Sequence, residues 1–232
     1  METVGTLTTT IVSSEDKKHV YEICREFDNV DDGEEVILLT LYPTLTEPNS
    51  FDLSSMHLMN HASDKNFNLK KIHFVFLFSK VVKAKLSTRG LTVDEENLNY
   101  LRDIISRLPD AKIIIAFGSS MEKCQATIES KVKLFSMIRE LRPDGALWQI
   151  TAENIEEECP HILFMGIRFN HLAWSLRHYI VPYKYTEMGY QQYLENKAIA
   201  RERFMQNVLG RKVDAEKVEE KPKKGKKKND NS

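Results

Sequence analysis

Three short runs of β-forming apolar residues constrain the fold of this chain more than any other feature. They span residues 36–41, 72–78 and 112–117. Each run has the length of a strand and lacks the alternation of polar residues that marks a strand with one wet face. A sheet built from such strands must be covered by helices on both sides.

Helical patterns lie between these runs. Residues 95–108 place leucine and isoleucine on one face at steps of three and four, and residues 121–138 carry a second apolar stripe. Alternating strands and helices favour parallel βαβ units. We therefore predict an α/β fold, in three layers, with a mainly parallel central sheet of four to five strands and a C-terminal helix. Residues 146–150 and 162–166 are the predicted fourth and fifth strands, and 19–27 a short strand or edge segment.

Composition changes toward the C-terminus divide the chain into three predicted parts. Residues 1–183 form the globular domain, 184–210 contain an amphipathic helix over 186–209, and 211–232 form a disordered tail. The tail has nine Lys/Arg against five Asp/Glu, which leaves 24 against 29 in the body. An acidic body argues against a dedicated DNA-binding fold, which carries its basic charge on the folded surface.

Several classes of protein are disfavoured by what the sequence contains. The apolar runs are too short to span a bilayer, and residues 1–14 do not resemble a signal peptide, so a cytoplasmic protein is expected. Cys24, Cys124 and Cys159 are widely separated, so a disulfide is not expected in a reducing compartment, and Cys24 and Cys124 are expected to pack against apolar groups. No metal site and no cofactor is predicted.

Ligands of open parallel sheets bind beyond the carboxyl ends of the strands, where the strand order reverses. The segments to consider are therefore 42–52, 79–92 and 118–121. Sequence reasoning selects six candidate ligand-binding residues in or beside these segments: Tyr42, Thr44, Asn97, Gly118, Ser119 and Ser120. The spacing of Ser119 and Glu122 is also that of a helix capping box, and this structural interpretation is favoured for both serines.

Asp52 and His161 are the candidate catalytic residues. Asp52 follows the first buried strand, where it could act as a general base or equally cap a helix. His161 precedes an apolar stretch, and a structural role is the stronger alternative. Arg168 is a candidate contact for an anionic ligand. Asn97 is either exposed or turned inward, where it would need a partner and could tie its helix to a loop.

The tail offers a second mode of binding. A run of lysines could hold a phosphate backbone and would release it as the salt concentration rises, although such a run is more often only a solvated chain end. The predicted tether consists of Lys223, Lys224, Lys226, Lys227 and Lys228.

Residues 19–168 resemble a family of bacteria and phages, the one numbered 1643 among domains of unknown function. Its first strand ends in a Leu-Asn-Pro-Ser/Thr turn and is followed by an aspartate before a helix, as in Leu41-Tyr-Pro-Thr44 and Asp52. Later motifs of the family are similar to 76–78, 94–97, 116–118 and 161–163. The order of the motifs is also similar to that of the uracil-DNA glycosylase fold. This resemblance implies an α/β protein of bacterial or mobile-element origin that acts on or binds a nucleotide or nucleic acid.

The chain departs from the pattern at positions that matter for glycosylase chemistry. Tyr42 and Phe76 stand where the family has asparagine, and Ile162 follows His161 where the family has proline. Such an enzyme needs groups that orient water and stabilise the developing charge on the base. Catalysis therefore stays open, and the alternative is a non-catalytic interaction module of a phage or mobile element, with a protein partner or a homodimer formed through 186–209.

Overall fold

The computed structural model describes residues 2, 4–28, 32–64, 66–84, 86–156 and 161–219, with side chains as far as Val208. Within this part of the chain, seven strands form a single sheet. The strands are Leu7–Ser13 (β1), Val20–Phe27 (β2), Glu34–Thr40 (β3), Leu69–Phe76 (β4), Lys112–Ile115 (β5), Leu147–Ala152 (β6) and Trp174–His178 (β7). Their order across the sheet is β1-β2-β4-β3-β5-β6-β7.

The centre of the sheet is parallel and its two sides are antiparallel. β3 pairs in parallel with β4 and β5, and β5 pairs in parallel with β6, whereas β1, β2 and β7 run antiparallel to their neighbours. The three apolar runs form β3, β4 and β5 at the centre of the sheet. Helices cover these strands on both faces, as the prediction requires. The sheet is thus mixed, and its seven strands exceed the predicted four to five.

Three local predictions differ from the structure. The edge strands β1 and β7 were not predicted, because β1 is threonine-rich and half exposed, and β7 is polar along much of its length. Residues 162–166, predicted as a fifth strand, instead begin the helix Ile162–Phe169. An apolar run of this length has no periodicity that separates a strand from a buried helix.

Helices pack on both faces of the sheet. The helices are Leu53–His61 (α1), Glu95–Arg107 (α2), Gln125–Leu141 (α3), Ile162–Phe169 (α4) and Glu187–Glu219 (α5), with a 3₁₀ turn at Tyr183–Tyr185. α2 and α3 share one apolar core with Ile37 and Ile113, whereas α1 and α4 share the other with Leu38 and Ile114. The side chains of neighbouring residues in one strand thus pack into opposite cores, because successive side chains of a strand point to opposite faces of the sheet.

The C-terminal helix α5 continues past the predicted end at residue 209. Tyr190 and Tyr193 at its start pack against the core of α2 and α3. The five tail lysines, Lys223, Lys224, Lys226, Lys227 and Lys228, lie outside the described residues, and so does Cys159. Among the described helices, none combines the length and the apolar composition that crossing a membrane would require.

The order of the parallel strands creates a crevice. The chain passes from β3 through α1 to β4 on one side of β3, and then through α2 to β5 on the other side. Loops that follow β3 and β5 consequently leave the sheet in different directions and separate at its carboxyl edge. This is the place where open α/β sheets bind ligands.

Candidate functional site

A cleft of about 820 Å³ opens at this carboxyl edge, on the face of the sheet that carries α1 and α4. Its volume lies in the range of small-molecule binding sites. Side chains from the loops after β3, β4 and β5 and from α4 line it together. Six residues selected from the sequence lie in its wall: Tyr42, Thr44, Asp52, Ser120, His161 and Arg168.

Asp52 is the N-cap of α1 and is tied to the loop after β3. One carboxylate oxygen accepts a hydrogen bond from the Ser55 backbone N–H at 2.7 Å, and the other accepts from the Thr44 hydroxyl at 2.5 Å. Each carboxylate oxygen can accept more than one hydrogen bond. Asp52 can therefore cap α1 and still have acceptor capacity for the second predicted role, that of a general base. Capping is the role that the contacts show, and Asp52 also lines the cleft.

His161 is the N-cap of α4. Its Nδ1 accepts a hydrogen bond from the Leu163 backbone N–H at 3.1 Å, which leaves the ring proton of the neutral form on Nε2. Burial lowers the pKa of His161, and the attraction of the nearby Asp52 carboxylate offsets part of that effect. In its neutral form the ring can therefore donate a hydrogen bond through Nε2.

The turn after β5 differs from its prediction. Gly118 and Met121 have positive φ angles of 62° and 60°, and α3 begins only at Gln125, with Cys124 as an N-cap that makes no side-chain capping bond. The predicted capping box at Ser119 is therefore wrong, because these left-handed residues turn the chain before the helix starts. Ser120 lines the cleft, whereas Ser119 is exposed outside it.

The floor and rim of the cleft have different character. Phe74 and Phe76 of β4 and Ile162 of α4 supply an apolar floor, and the exposed cations Lys83 and Arg168 stand at the rim. The Arg168 guanidinium lies 5.5 Å from the centre of the Phe164 ring. Sequence reasoning did not select Lys83, and its position in the loop after β4 was the only signal that could have found it.

Tyr42 closes one end of the cleft. Its hydroxyl donates to the Ala84 carbonyl at 3.4 Å, which links the loops after β3 and β4. Tyr42 and Phe76 therefore border an open cleft rather than fill it.

Asn97 does not belong to this site. It is fully buried in α2, and its amide nitrogen donates to the Phe76 carbonyl at 2.6 Å. It thereby ties α2 to the end of β4. The inward alternative for Asn97 is the one that the structure shows, and its assignment as a ligand-binding residue is corrected.

Comparison with known proteins identifies no relative of this chain. No protein-family model matches the chain, and no curated protein or solved structure matches it.

Proposed function

We propose that the cleft binds a ligand of the nucleotide class, with a flat ring against the apolar floor and an anionic group at the rim. The observation that carries this proposal is the convergence of Tyr42, Asp52, Ser120, His161 and Arg168 on one cleft at the switch of strand order. An apolar cavity with a few convergent polar groups is the usual form of a small-molecule site.

The apolar floor suits a heterocyclic ring. Phe74, Phe76 and Ile162 line the floor with carbon atoms, and a flat ring placed against them gains free energy in proportion to the apolar area that the ring itself removes from water. Hydrogen bonds at the edge of the ring then set its orientation. The Nε2–H of His161 is a donor and the Asp52 carboxylate an acceptor, so a ring edge that offers one acceptor and one donor fits this pair.

The charges at the rim suit phosphate. Lys83 and Arg168 come from different segments, after β4 and in α4, and both are exposed. Arginine binds phosphate oxygens through two parallel hydrogen bonds, and lysine binds them as a point charge. A single phosphate between these two side chains neutralises both, whereas an uncharged nucleoside leaves them unused.

The capping contacts favour binding over catalysis. Nδ1 of His161 already accepts the Leu163 N–H, so in this arrangement the ring donates a hydrogen bond through Nε2 and has no free nitrogen lone pair with which to act as a base. Asp52 is then the group that would act as a base in any reaction.

Calorimetric titration at low salt tests the proposal with a nucleoside, its monophosphate, inorganic phosphate and a short single-stranded oligonucleotide. We expect the monophosphate to bind more tightly than either the nucleoside or phosphate. Replacing Arg168 by alanine should weaken monophosphate binding at least about tenfold, since a hydrogen bond to a charged group contributes about 1.5–3 kcal/mol.

Arg89→Ala is the matched control, because Arg89 is exposed in the loop before α2 and does not line the cleft. A chain that binds none of the four ligands, or that binds equally well without Arg168, contradicts the proposal. Tighter binding of the oligonucleotide than of the monophosphate would instead identify nucleic acid as the ligand.

A second candidate function is self-association through α5. Phe204 and Met205 are 65% and 50% exposed, and Phe204 follows Tyr190 by about four helical turns, on the same side of α5. We propose that this continuation of the packed face pairs with a second copy, because an exposed phenylalanine on a projecting helix favours association. Light scattering should show a dimer that Phe204→Glu dissociates and Gln206→Glu leaves intact. A monomeric wild-type chain excludes this candidate.

A further inference from the structure

A second group of polar side chains lies on the opposite face of the sheet from the cleft. Glu22 and Cys24 extend from β2 on the side away from Ile23, which lines the cleft, and His73 of β4 is the direct register partner of Cys24. A carboxylate oxygen of Glu22, the sulfur of Cys24 and a ring nitrogen of His73 all lie within 4.8 Å of one another.

We propose that Glu22, Cys24 and His73 bind a thiophilic divalent cation of the zinc class. Oxygen, sulfur and nitrogen are the three donor types that Zn²⁺ takes from proteins, whereas Mg²⁺ and Ca²⁺ prefer oxygen alone. Neighbouring ligands of a tetrahedral Zn²⁺ ion are about 3–4 Å apart, given bond lengths of about 2.0–2.3 Å. Small rotations of the three side chains therefore bring their donor atoms to coordination distance.

The groups behind the three donors hold them in suitable orientations. His73 Nδ1 lies 2.6 Å from Glu22 Oε1, and its Nε2 lies 2.9 Å from Glu35 Oε1. With a cation on Nδ1, the Nε2–H still donates to Glu35, which is the carboxylate–histidine–metal arrangement of many zinc sites. Tyr100 donates its hydroxyl to the other oxygen of Glu22 and fixes the carboxylate.

The three proposed ligands differ in their exposure to solvent. Glu22 and His73 are buried, whereas Cys24 is only half-buried and carries a free thiol. A cation can enter on the side of Cys24. Binding releases the thiol proton of Cys24 and the Nδ1 proton of His73 to solvent, and the metal–sulfur and metal–nitrogen bonds take their places. Three protein ligands leave the fourth position for water.

Cobalt(II) is the probe for this site, because a cobalt–thiolate bond produces a charge-transfer absorption in the near ultraviolet. The experiment uses the untagged full chain, stripped with a chelator and then titrated with Co²⁺ under reducing conditions. We expect one Co²⁺ per chain, together with the thiolate absorption. Zinc added afterwards should displace the cobalt and abolish the band.

Cys24→Ser and Cys124→Ser form a matched pair, because both cysteines are half-buried and free. We expect the absorption to disappear in Cys24→Ser, with affinity at least tenfold weaker, and to persist in Cys124→Ser. Glu35→Gln should keep the absorption band and bind Co²⁺ about 10–100-fold more weakly, because Glu35 holds a hydrogen bond to the metal ligand His73 and loss of such a partner commonly lowers metal affinity by this amount. Circular dichroism establishes that each variant is folded.

Three results overturn the proposal. They are a wild-type chain without thiolate absorption, a Cys24→Ser variant that keeps it, and a Cys124→Ser variant that loses it. Should Cys24→Ser fail to fold, a Cys124→Ser/Cys159→Ser variant decides, because Cys24 is its remaining cysteine and it must keep the absorption. Nucleotide binding in the cleft does not enter this test, so the two proposals stand or fall separately.

Discussion

Gly118 and His161 lie in direct contact across the carboxyl edge of the sheet. A Cβ atom on Gly118 would come within 2.7 Å of the His161 Cβ and 3.3 Å of its Cα. Gly118 also has a φ angle of 62°, a conformation that other residues adopt at a cost. The absence of a side chain at this position is therefore what allows the start of α4 to approach the end of β5.

Gly118→Ala is expected to destabilise the fold by about 2–4 kcal/mol, because backbone strain of about 1–2 kcal/mol adds to overpacking against His161. Gly90→Ala is the control, since Gly90 has a φ angle of 70° and no atom within 4 Å of an added Cβ. It should show the strain alone, about 1–2 kcal/mol. Urea denaturation measures both changes, and equal losses would show that the contact with His161 contributes nothing.

Asp52→Ala is expected to lower the free energy of unfolding by about 1–2 kcal/mol, because α1 loses its N-cap. Asp94 caps α2 in the same way, accepting from the Asn97 N–H at 3.1 Å, and it lies outside the cleft. Asp94→Ala should therefore destabilise by at least a similar amount but leave nucleotide affinity unchanged, whereas Asp52→Ala should reduce it about tenfold. Calorimetry on both variants decides, and parallel effects on affinity would remove Asp52 from the site.

The protonation of His161 is expected to reduce stability in acid. Burial lowers the folded-state pKa of His161 below its ordinary value of 6.5, so the unfolded chain binds this proton more readily. The contribution is fully present above about pH 6.5 and is lost as the pH falls toward the folded-state pKa.

The imidazole titration of His161, followed by NMR, should have its midpoint below 6.5. His161→Asn keeps a capping side chain without the titration, so it should lose less stability than the wild type between about pH 7 and 5. A midpoint at or above the ordinary value contradicts this prediction.

The contact between α1 and α4 depends on Gly166. A Cβ atom at this position would overlap the His57 ring. Gly166→Ala should cost about 1–3 kcal/mol through overpacking, and His57→Ala should relieve most of that cost when the two changes are combined. Chemical denaturation of the two single variants and the double variant measures the coupling. Strictly additive effects would mean that the helices accommodate the methyl group without His57.

The parts of the fold that follow from the sequence are those with strong periodicity. The apolar strands at the centre and the amphipathic helix α2 were predicted because their patterns have one physical interpretation. β1 and β7 were not predicted because they are edge strands that are partly exposed. Polar side chains are tolerated at such positions, so these strands lack an apolar pattern. The run after His161 was assigned as a strand, and only its packing between α1 and β6 makes it a helix.

The candidate sites were predictable to different degrees. Asp52 and His161 could be selected because each is a polar residue beside an apolar element. The opposition of Cys24 and His73 could not be, since it depends on the antiparallel register between β2 and β4. No spacing within the sequence encodes that register. A metal site shows in a sequence through closely spaced cysteine and histidine residues, and Cys24 and His73 are far apart along the chain.

The capping roles of Asp52 and His161 make two backbone amides natural reporters of the cleft. The Ser55 N–H and the Leu163 N–H are bonded to the very groups that a ligand would engage. A molecule whose binding weakens these two hydrogen bonds would accelerate amide hydrogen exchange at both positions, and one that strengthens them would slow it. Occupancy of the cleft can therefore be read from the first turns of two helices, without a labelled ligand or any assumption about turnover.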